Sequence, residues 1–136
     1  MTFQAKGSFE VKMTPQPWSE SSSADHTLGR FLLDKQYHGD LEATSFGQML
    51  SAGTGEKGSS GVYVAIEKVS GTLLGRTGGF ALHHTGIMNK GVAELTISVV
   101  PDSGTGNLSG LAGSMTIQIH EGKHSYEFAY TLATVQ

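Results

Sequence analysis

The segment "GFALHHTG", residues 79–86, places two histidines side by side after an apolar run. Histidine binds metals and transfers protons near neutral pH, so this pair is the first candidate for chemistry in the chain. Adjacent residues of a strand point to opposite faces of a sheet, so His83 and His84 cannot both bind one ion unless a bulge intervenes. We therefore expect no metal site, and we expect only one of the two histidines to face the interior.

The side chains around this pair indicate which face is inside. In the run "TLLGRTGGFALHH", residues 72–84, bulky side chains recur at alternate positions that include Arg76, Phe80 and His84. Strand residues two apart share a face, and a face rich in bulky apolar side chains favours the interior. His84 is therefore predicted to point inward, and His83 is predicted to be inert on the outer face.

The preceding strand adds an acid and a phenol to the same face if the connecting turn is short. A two-residue turn over residues 70–71 would place Glu67 opposite Leu74 and Tyr63 opposite Gly78. A turn one residue longer would move Glu67 and Tyr63 to the outer face. With the shorter turn, an acid, a guanidinium, an imidazole and a phenol share the interior.

Ionisable side chains in such an interior need partners. Burial of a charge costs several kcal/mol unless it is paired, so Glu67 and Arg76 should bind one another or a ligand. One interpretation is a structural ion pair. In the other, Glu67 is a general base or an anionic anchor, Arg76 neutralises it or clamps a carboxylate, and His84 donates a proton or a hydrogen bond. Glu67 and His84 are therefore the candidate catalytic residues.

Other motifs lack the structure that their chemistry requires. Gly53, Gly55 and Gly58 match the G-x-G-x-x-G spacing of dinucleotide-binding loops, but the strand-like "GVYVAI" follows them instead of a helix. We interpret this segment as a hairpin loop. The chain also lacks the G-x-S-x-G motif of a nucleophile elbow. We expect no cofactor.

The composition excludes several classes of partner. The net charge is −3 and the nine Lys and Arg residues are scattered, which argues against nucleic-acid binding. No apolar run approaches the roughly 18 residues that cross a bilayer. The chain begins without the basic and apolar regions of a signal peptide and contains no cysteine. These features predict a cytoplasmic protein with no membrane partner.

The elements that must position these residues are strands. Eight segments alternate apolar and polar residues, and most are separated by short turns rich in Gly, Ser or Asn. None has a helical period with caps. A single domain over residues 1–136 is expected, with an all-β fold: a closed eight-stranded antiparallel barrel in preference to a sandwich.

Three strands carry apolar residues on both faces. They are "VYVAI" in residues 62–66, the run over residues 95–100, and "MTIQI" in residues 115–119. The outer face of a solitary barrel should be largely polar, so two-sided apolarity predicts that another subunit covers part of the outside. We expect a homo-oligomer.

Four long segments resemble a bacterial family known as domain of unknown function 3224, and the likeness extends over nearly the whole chain. They are "GDLEATSFGQML" from Gly39, "YVAIEKVSGTLLGRTGGFALHHTG" from Tyr63, "VVPDSGTGNLSGL" from Val99 and "HSYEFAYTL" from His124. The resemblance implies an eight-stranded barrel similar to allene oxide cyclase that commonly assembles into oligomers. The positions that match the family pattern include Arg30, Lys35, Asp40, Glu67, Arg76, Phe80, His84, His124 and Tyr126.

Together these observations predict a barrel that binds a small, mostly apolar molecule with a polar end. The expected ligand-binding residues are Tyr63, Arg76, Phe80 and Tyr126. One alternative is an isomerase or cyclase that transfers a proton and folds its substrate inside the cavity. Another is an oligomeric scaffold without catalysis, in which side chains fill the core.

Overall fold

The computed structural model describes residues 1–17, 28–53 and 59–132. The described ranges contain eight long strands, one two-residue strand and no helix, so no helix in them could cross a membrane. The strands are β1 (Phe3–Gln16), β2 (Leu28–Gly39), β3 (Leu41–Gly53), β4 (Gly61–Leu73), β5 (Arg76–Asn89), β6 (Val92–Val99), β7 (Thr105–Gly106), β8 (Ala112–His120) and β9 (Lys123–Thr131).

The eight long strands form a closed antiparallel barrel, as the sequence predicts. Each long strand pairs with the long strands before and after it, and β1 pairs with β9 to close the ring. The short β7 pairs with Gly78 and Gly79 of β5, beyond the point at which β6 ends. All neighbouring strands are antiparallel, so side chains at alternate positions point into the barrel.

Tight turns connect three of the hairpins. Leu74-Gly75, Lys90-Gly91 and Glu121-Gly122 all have positive φ at both residues, the conformation that type I′ turns require. Gly tolerates this conformation at the second position because it lacks a Cβ atom. These turns have a right-handed twist that matches the strands they join.

The predicted turn over residues 70–71 is wrong. Both residues lie within β4, and the chain reverses at Leu74-Gly75 instead. Glu67 consequently lies opposite Leu82, and Tyr63 lies opposite Gly86. The actual turn still has two residues, so odd-numbered positions of β4 still lie opposite even-numbered positions of β5, and the inward orientation of both side chains is unchanged.

One end of the barrel is filled. The segment between β6 and β8 folds over this end, and its Leu108 and Leu111 are buried. The buried apolar cluster comprises Ala5, Phe9, Tyr37, Leu41, Ala43, Val69, Leu73, Phe80, Leu82, Ile97, Val99, Leu108, Leu111, Met115, Tyr126, Phe128 and Tyr130.

The expected two-sided apolarity holds for one of the three strands. On β4, Val62, Val64 and Ile66 point outward and are exposed. On β6 and β8 the apolar side chains alternate toward the interior, and polar residues such as Ser98 and Gln118 occupy the outside. These two strands are therefore ordinary amphipathic strands, because their apolar residues recur at every second position.

Candidate functional site

A buried carboxylate with four hydrogen-bond donors lies inside the barrel. Glu67 is fully buried; its Oε2 atom is 2.7 Å from Lys35 Nζ and 2.6 Å from His84 Nε2. Its Oε1 atom accepts hydrogen bonds from the hydroxyls of Tyr37, at 2.5 Å, and Ser45, at 2.8 Å. We call these five residues the Glu67 cluster. Both carboxylate oxygens are satisfied, as burial of a charge requires.

Four adjacent strands contribute to the Glu67 cluster. Lys35 and Tyr37 come from β2, Ser45 from β3, Glu67 from β4 and His84 from β5. The register pairs Lys35 with Ser45 directly, and it places His84 opposite Ala65, the inward-facing neighbour of Glu67. The cluster therefore depends on three strand pairings and cannot form within a single hairpin.

The partners of Glu67 keep it ionised. Burial acts to raise the pKa of Glu67, but the hydrogen bond from His84 and the charge of Lys35 outweigh this effect and hold the pKa at about 2. A carboxylate with so low a pKa and no free lone-pair direction is a poor proton acceptor near neutral pH. The arrangement fits the anionic anchor of the sequence interpretation better than the general base.

Lys35 supplies the positive charge that balances Glu67. Its side chain is 5% exposed, and its ammonium group lies 5.1 Å from the centre of the Phe9 ring and 5.7 Å from the centre of the Tyr37 ring. Aromatic faces stabilise a cation that has lost its water. The Glu67 cluster therefore contains one compensated pair of charges.

Arg76 does not occupy the predicted position beside Glu67. It is the first residue of β5 after the turn, it pairs with Leu73, and it is exposed. Its influence on the pKa of Tyr130 places it near the filled end of the barrel. The prediction is wrong because the turn at Leu74-Gly75 places Arg76 opposite Leu73 at the rim, whereas Lys35 reaches Glu67 from β2, on the far side of β3.

Tyr63 lies where the sequence predicts, on the inner face. Its ring packs over Gly86: a Cβ atom at position 86 would be 2.1 Å from Tyr63 Cε1. The centres of the Tyr63 and His84 rings are 6.5 Å apart. Burial and the charge of Glu67 raise the pKa of Tyr63, so its hydroxyl stays protonated at neutral pH. Tyr63 is half-buried and can donate a hydrogen bond.

Phe80 and Tyr126 point inward but lie in the packed core. The ring of Phe80 stacks on Phe128 at 5.9 Å. The Tyr126 hydroxyl accepts a hydrogen bond from the Leu41 amide at 2.9 Å and is 3.0 Å from the carbonyl of His38. The Tyr126 contacts fix the connection between β2 and β3, and the role of Phe80 and Tyr126 in binding a ligand stays a prediction.

Among residues 1–17, 28–53 and 59–132, the other end of the barrel contains an open apolar lumen. Met13, Met88, Leu95 and Ile119 occupy inward-facing positions there, yet they are 45%, 41%, 43% and 67% exposed. A cavity of about 640 Å³ lies at this end. The side chains and glycines that line it on the inner face include Met49, Ser51, Tyr63, Gly86, Met88 and Leu95.

Sequence reasoning missed three members of the Glu67 cluster as site residues. Lys35, Tyr37 and Ser45 all lie on inward-facing positions of amphipathic strands. The available signal was Lys35, which lies at a position where apolar neighbours indicate the interior. A buried lysine requires a buried counter-charge. Within residues 1–17, 28–53 and 59–132, no group of three or more His, Cys, Asp or Glu side chains is placed to hold a metal ion.

The fold and sequence match a known family. A family model described as "Protein of unknown function (DUF3224)" matches residues 5–130. The chain is also similar to the crystal structure of a protein with unknown function from that family of Shewanella oneidensis MR-1. The two are 46% identical with a TM-score of 0.90, and the match covers 99% of this chain and 100% of the other. Comparison with curated proteins gives no match.

Proposed function

The chain belongs to the DUF3224 family, and we propose that its barrel binds a small, neutral and mainly apolar molecule. The ligand would enter the open lumen, and its polar end would accept a hydrogen bond from the Tyr63 hydroxyl. The observation that carries this proposal is the half-exposed apolar lining of the lumen. Apolar side chains that face inward and remain wet are stabilised when a ligand displaces the water.

The size and lining of the lumen support a ligand of this class. The cavity at this end has a volume of about 640 Å³ and extends over the rim to the outward-facing Val62 and Ile87; this volume lies in the range of roughly 300–1,000 Å³ that small-molecule sites occupy. Two methionines, Met49 and Met88, contribute to the lining, and their flexible side chains adapt to irregular apolar shapes. The inward-facing polar groups at this end are few, with Tyr63 and Ser51 among them.

The charges around the lumen favour a neutral ligand. Glu67 and Lys35 compensate each other at 2.7 Å, so the Glu67 cluster offers no unpaired cation to a carboxylate or a phosphate. Burial and the charge of Glu67 both raise the pKa of Tyr63, so the phenol stays protonated and can donate a hydrogen bond. An anionic head group would find no unpaired cation in the Glu67 cluster, whereas a ketone or ether oxygen can accept the phenolic hydrogen.

A second candidate is an isomerase that moves a proton within one substrate. The contact of 2.6 Å between Glu67 Oε2 and His84 Nε2 favours it, because a carboxylate that orients an imidazole is typical of acid–base sites. His84 would remove a proton from one carbon of the substrate and return it to another. The likeness of the barrel to allene oxide cyclase remains a prediction from the sequence.

Thermal unfolding with defined probes tests the binding proposal. We expect 2-decanone to raise the Tm and decanoate to raise it less. Tyr63→Phe keeps the ring on Gly86 but removes the hydroxyl, and it should weaken 2-decanone binding about 2- to 10-fold. Tyr130→Phe, at the filled end, is the matched control. A Tm that neither probe changes would contradict the proposal and favour a scaffold with a filled core.

Turnover separates binding from catalysis. The second candidate predicts that a bound ketone incubated with the protein in D₂O gains deuterium next to its carbonyl group. His84→Ala should abolish this exchange, and His83→Ala, on the outer face, should not. Recovery of the ketone with no deuterium above the level without protein would count against an isomerase.

A further inference from the structure

One side of the barrel wall has an apolar outer surface. Large apolar side chains point outward from β2, β3, β4 and β5, and Phe46 and Ile66 are 68% and 63% exposed. We call the whole group the outer apolar face; its members are Leu32, Phe46, Leu50, Val62, Val64, Ile66 and Ile87. Four adjacent strands contribute, so the exposed side chains are contiguous, and contiguous apolar patches of this kind mark protein interfaces.

The opposite side of the wall is different. Outward-facing positions of β6 and β8 carry polar residues such as Thr96, Ser98, Thr116 and Gln118. Apart from Val92 at the start of β6, the large apolar side chains that point outward from the described strands and are exposed lie on one side of the molecule. Scattered exposed apolar residues need no explanation, whereas a one-sided concentration indicates a partner with a matching apolar surface.

Two opposite charges flank the centre of the outer apolar face. Asp34 on β2 and Lys68 on β4 are the direct cross-strand neighbours of Phe46 on β3, one on each side. Within the part of the chain that the structure describes, neither Asp34 nor Lys68 forms an ion pair. Across β2, β3 and β4 this row therefore consists of an acid, an aromatic ring and a base, and Lys12 on β1 continues it beyond Asp34.

This pattern is complementary to itself. We propose that a second copy of this chain covers the outer apolar face and that the two copies are related by a two-fold axis along β3. Such an axis places Phe46 against its equivalent and Asp34 of each copy opposite Lys68 of the other. It also keeps the strands of the two copies roughly aligned, which is the common geometry for sheets that pack face to face.

The next row across the strands fits the same axis. Leu32, Gln48 and Ile66 are cross-strand neighbours on β2, β3 and β4. The two-fold axis places Leu32 of one copy opposite Ile66 of the other, so apolar side chains meet on both sides of Gln48. An unrelated partner would not need acidic and basic residues at equal distances from the central strand. The internal symmetry of the pattern therefore favours a second copy.

Sedimentation equilibrium over a concentration series tests the proposal. We expect the wild-type chain to have the mass of a dimer and Phe46→Glu to have the mass of a monomer. Val92→Glu is the matched control, because Val92 is 71% exposed but lies at the turn between β5 and β6. A wild-type monomer at concentrations up to about 100 μM would overturn the proposal and assign the outer apolar face to a different partner.

Charge reversal tests the axis. Asp34→Lys and Lys68→Asp should each weaken the dimer, since like charges would meet across the interface, and the double variant should restore it. A double variant that stays dissociated would overturn the two-fold arrangement. The Tm shift with 2-decanone is measured on the Phe46→Glu monomer in parallel, so failure of the dimer and failure of ligand binding are distinguishable.

Discussion

Glu67 Oε2 and His84 Nε2 lie 2.6 Å apart inside the barrel, although the two residues are 17 positions apart and on different strands. Glu67 thereby fixes the orientation of the imidazole ring, whose centre is 6.5 Å from the centre of the Tyr63 ring. The same carboxylate oxygen contacts Lys35, so the acid, the cation and the imidazole form one unit. Removal of any one member should disturb the others.

The first prediction concerns the charge of Glu67. Glu67→Gln retains the shape of the side chain but leaves the buried ammonium of Lys35 without a counter-charge. We expect the free energy of unfolding to fall by roughly 3–5 kcal/mol. Urea denaturation near neutral pH measures it, with the exposed Glu127→Gln as control. Adding Lys35→Met to Glu67→Gln should recover part of the loss, and no recovery would argue against the charge as the cause.

The second prediction concerns the stability of the folded chain at acidic pH. The pKa of Glu67 is about 2 in the folded chain, below its ordinary value of 4.5. A lowered pKa stabilises the folded state at pH values above 4.5, and this contribution is lost as the pH falls from 4.5 toward 2. It should amount to roughly 3 kcal/mol. The loss should appear as a difference between wild type and Glu67→Gln in urea titrations at several pH values; parallel curves would contradict it.

The third prediction concerns the ring of Tyr63 on Gly86. In Gly86→Ala the added Cβ atom would lie 2.1 Å from Tyr63 Cε1, so the ring must move. We expect a loss of about 1–3 kcal/mol in the wild-type background and a smaller loss when Tyr63→Ala is already present. A double-mutant cycle in urea measures this coupling. Additive losses would show that the ring does not depend on the glycine.

The fourth prediction separates Tyr126 from the site. Tyr126→Phe deprives the buried Leu41 amide of its acceptor, which should cost about 1–3 kcal/mol of unfolding free energy. The change in Tm caused by 2-decanone should remain as in wild type. Phe80→Leu provides a second core variant for comparison. If Tyr126→Phe alone abolished the change in Tm caused by 2-decanone, Tyr126 would be a ligand-binding residue.

The barrel was predictable from the sequence because alternation is a local property. Within about ten residues, the alternation of each strand indicates which of its faces is inside. The inward orientation of Glu67 and His84 was therefore predicted correctly, although the position of the turn was not. The turn itself was missed because Leu74-Gly75 adopts the conformation that Asn-Gly or Asp-Gly more commonly signal. An error in the position of a two-residue turn leaves the faces unchanged, whereas an error of one residue in its length would have reversed them.

The partner of Glu67 was not predictable in the same way. Arg76 and Lys35 both have the required charge and inward parity, and the choice between them depends on the register of β2, β3 and β4. That register is set by contacts between residues more than 20 positions apart, such as the 32 positions that separate Lys35 from Glu67. Local patterns carry no information on how far one strand slides along another.

The pairing of β1 with β9, from Phe3↔Tyr130 to Phe9↔His124, joins the first strand of the barrel to the last. During synthesis on the ribosome, the edge of β1 that faces β9 has no partner until residues 123–131 emerge. The ring therefore closes only after the other strands have been made. A nascent chain of this kind presents an unpaired edge throughout translation and is exposed to aggregation and to chaperones for that period. Closure should therefore be a late and slow step of folding, as the distance along the chain between the joined strands requires.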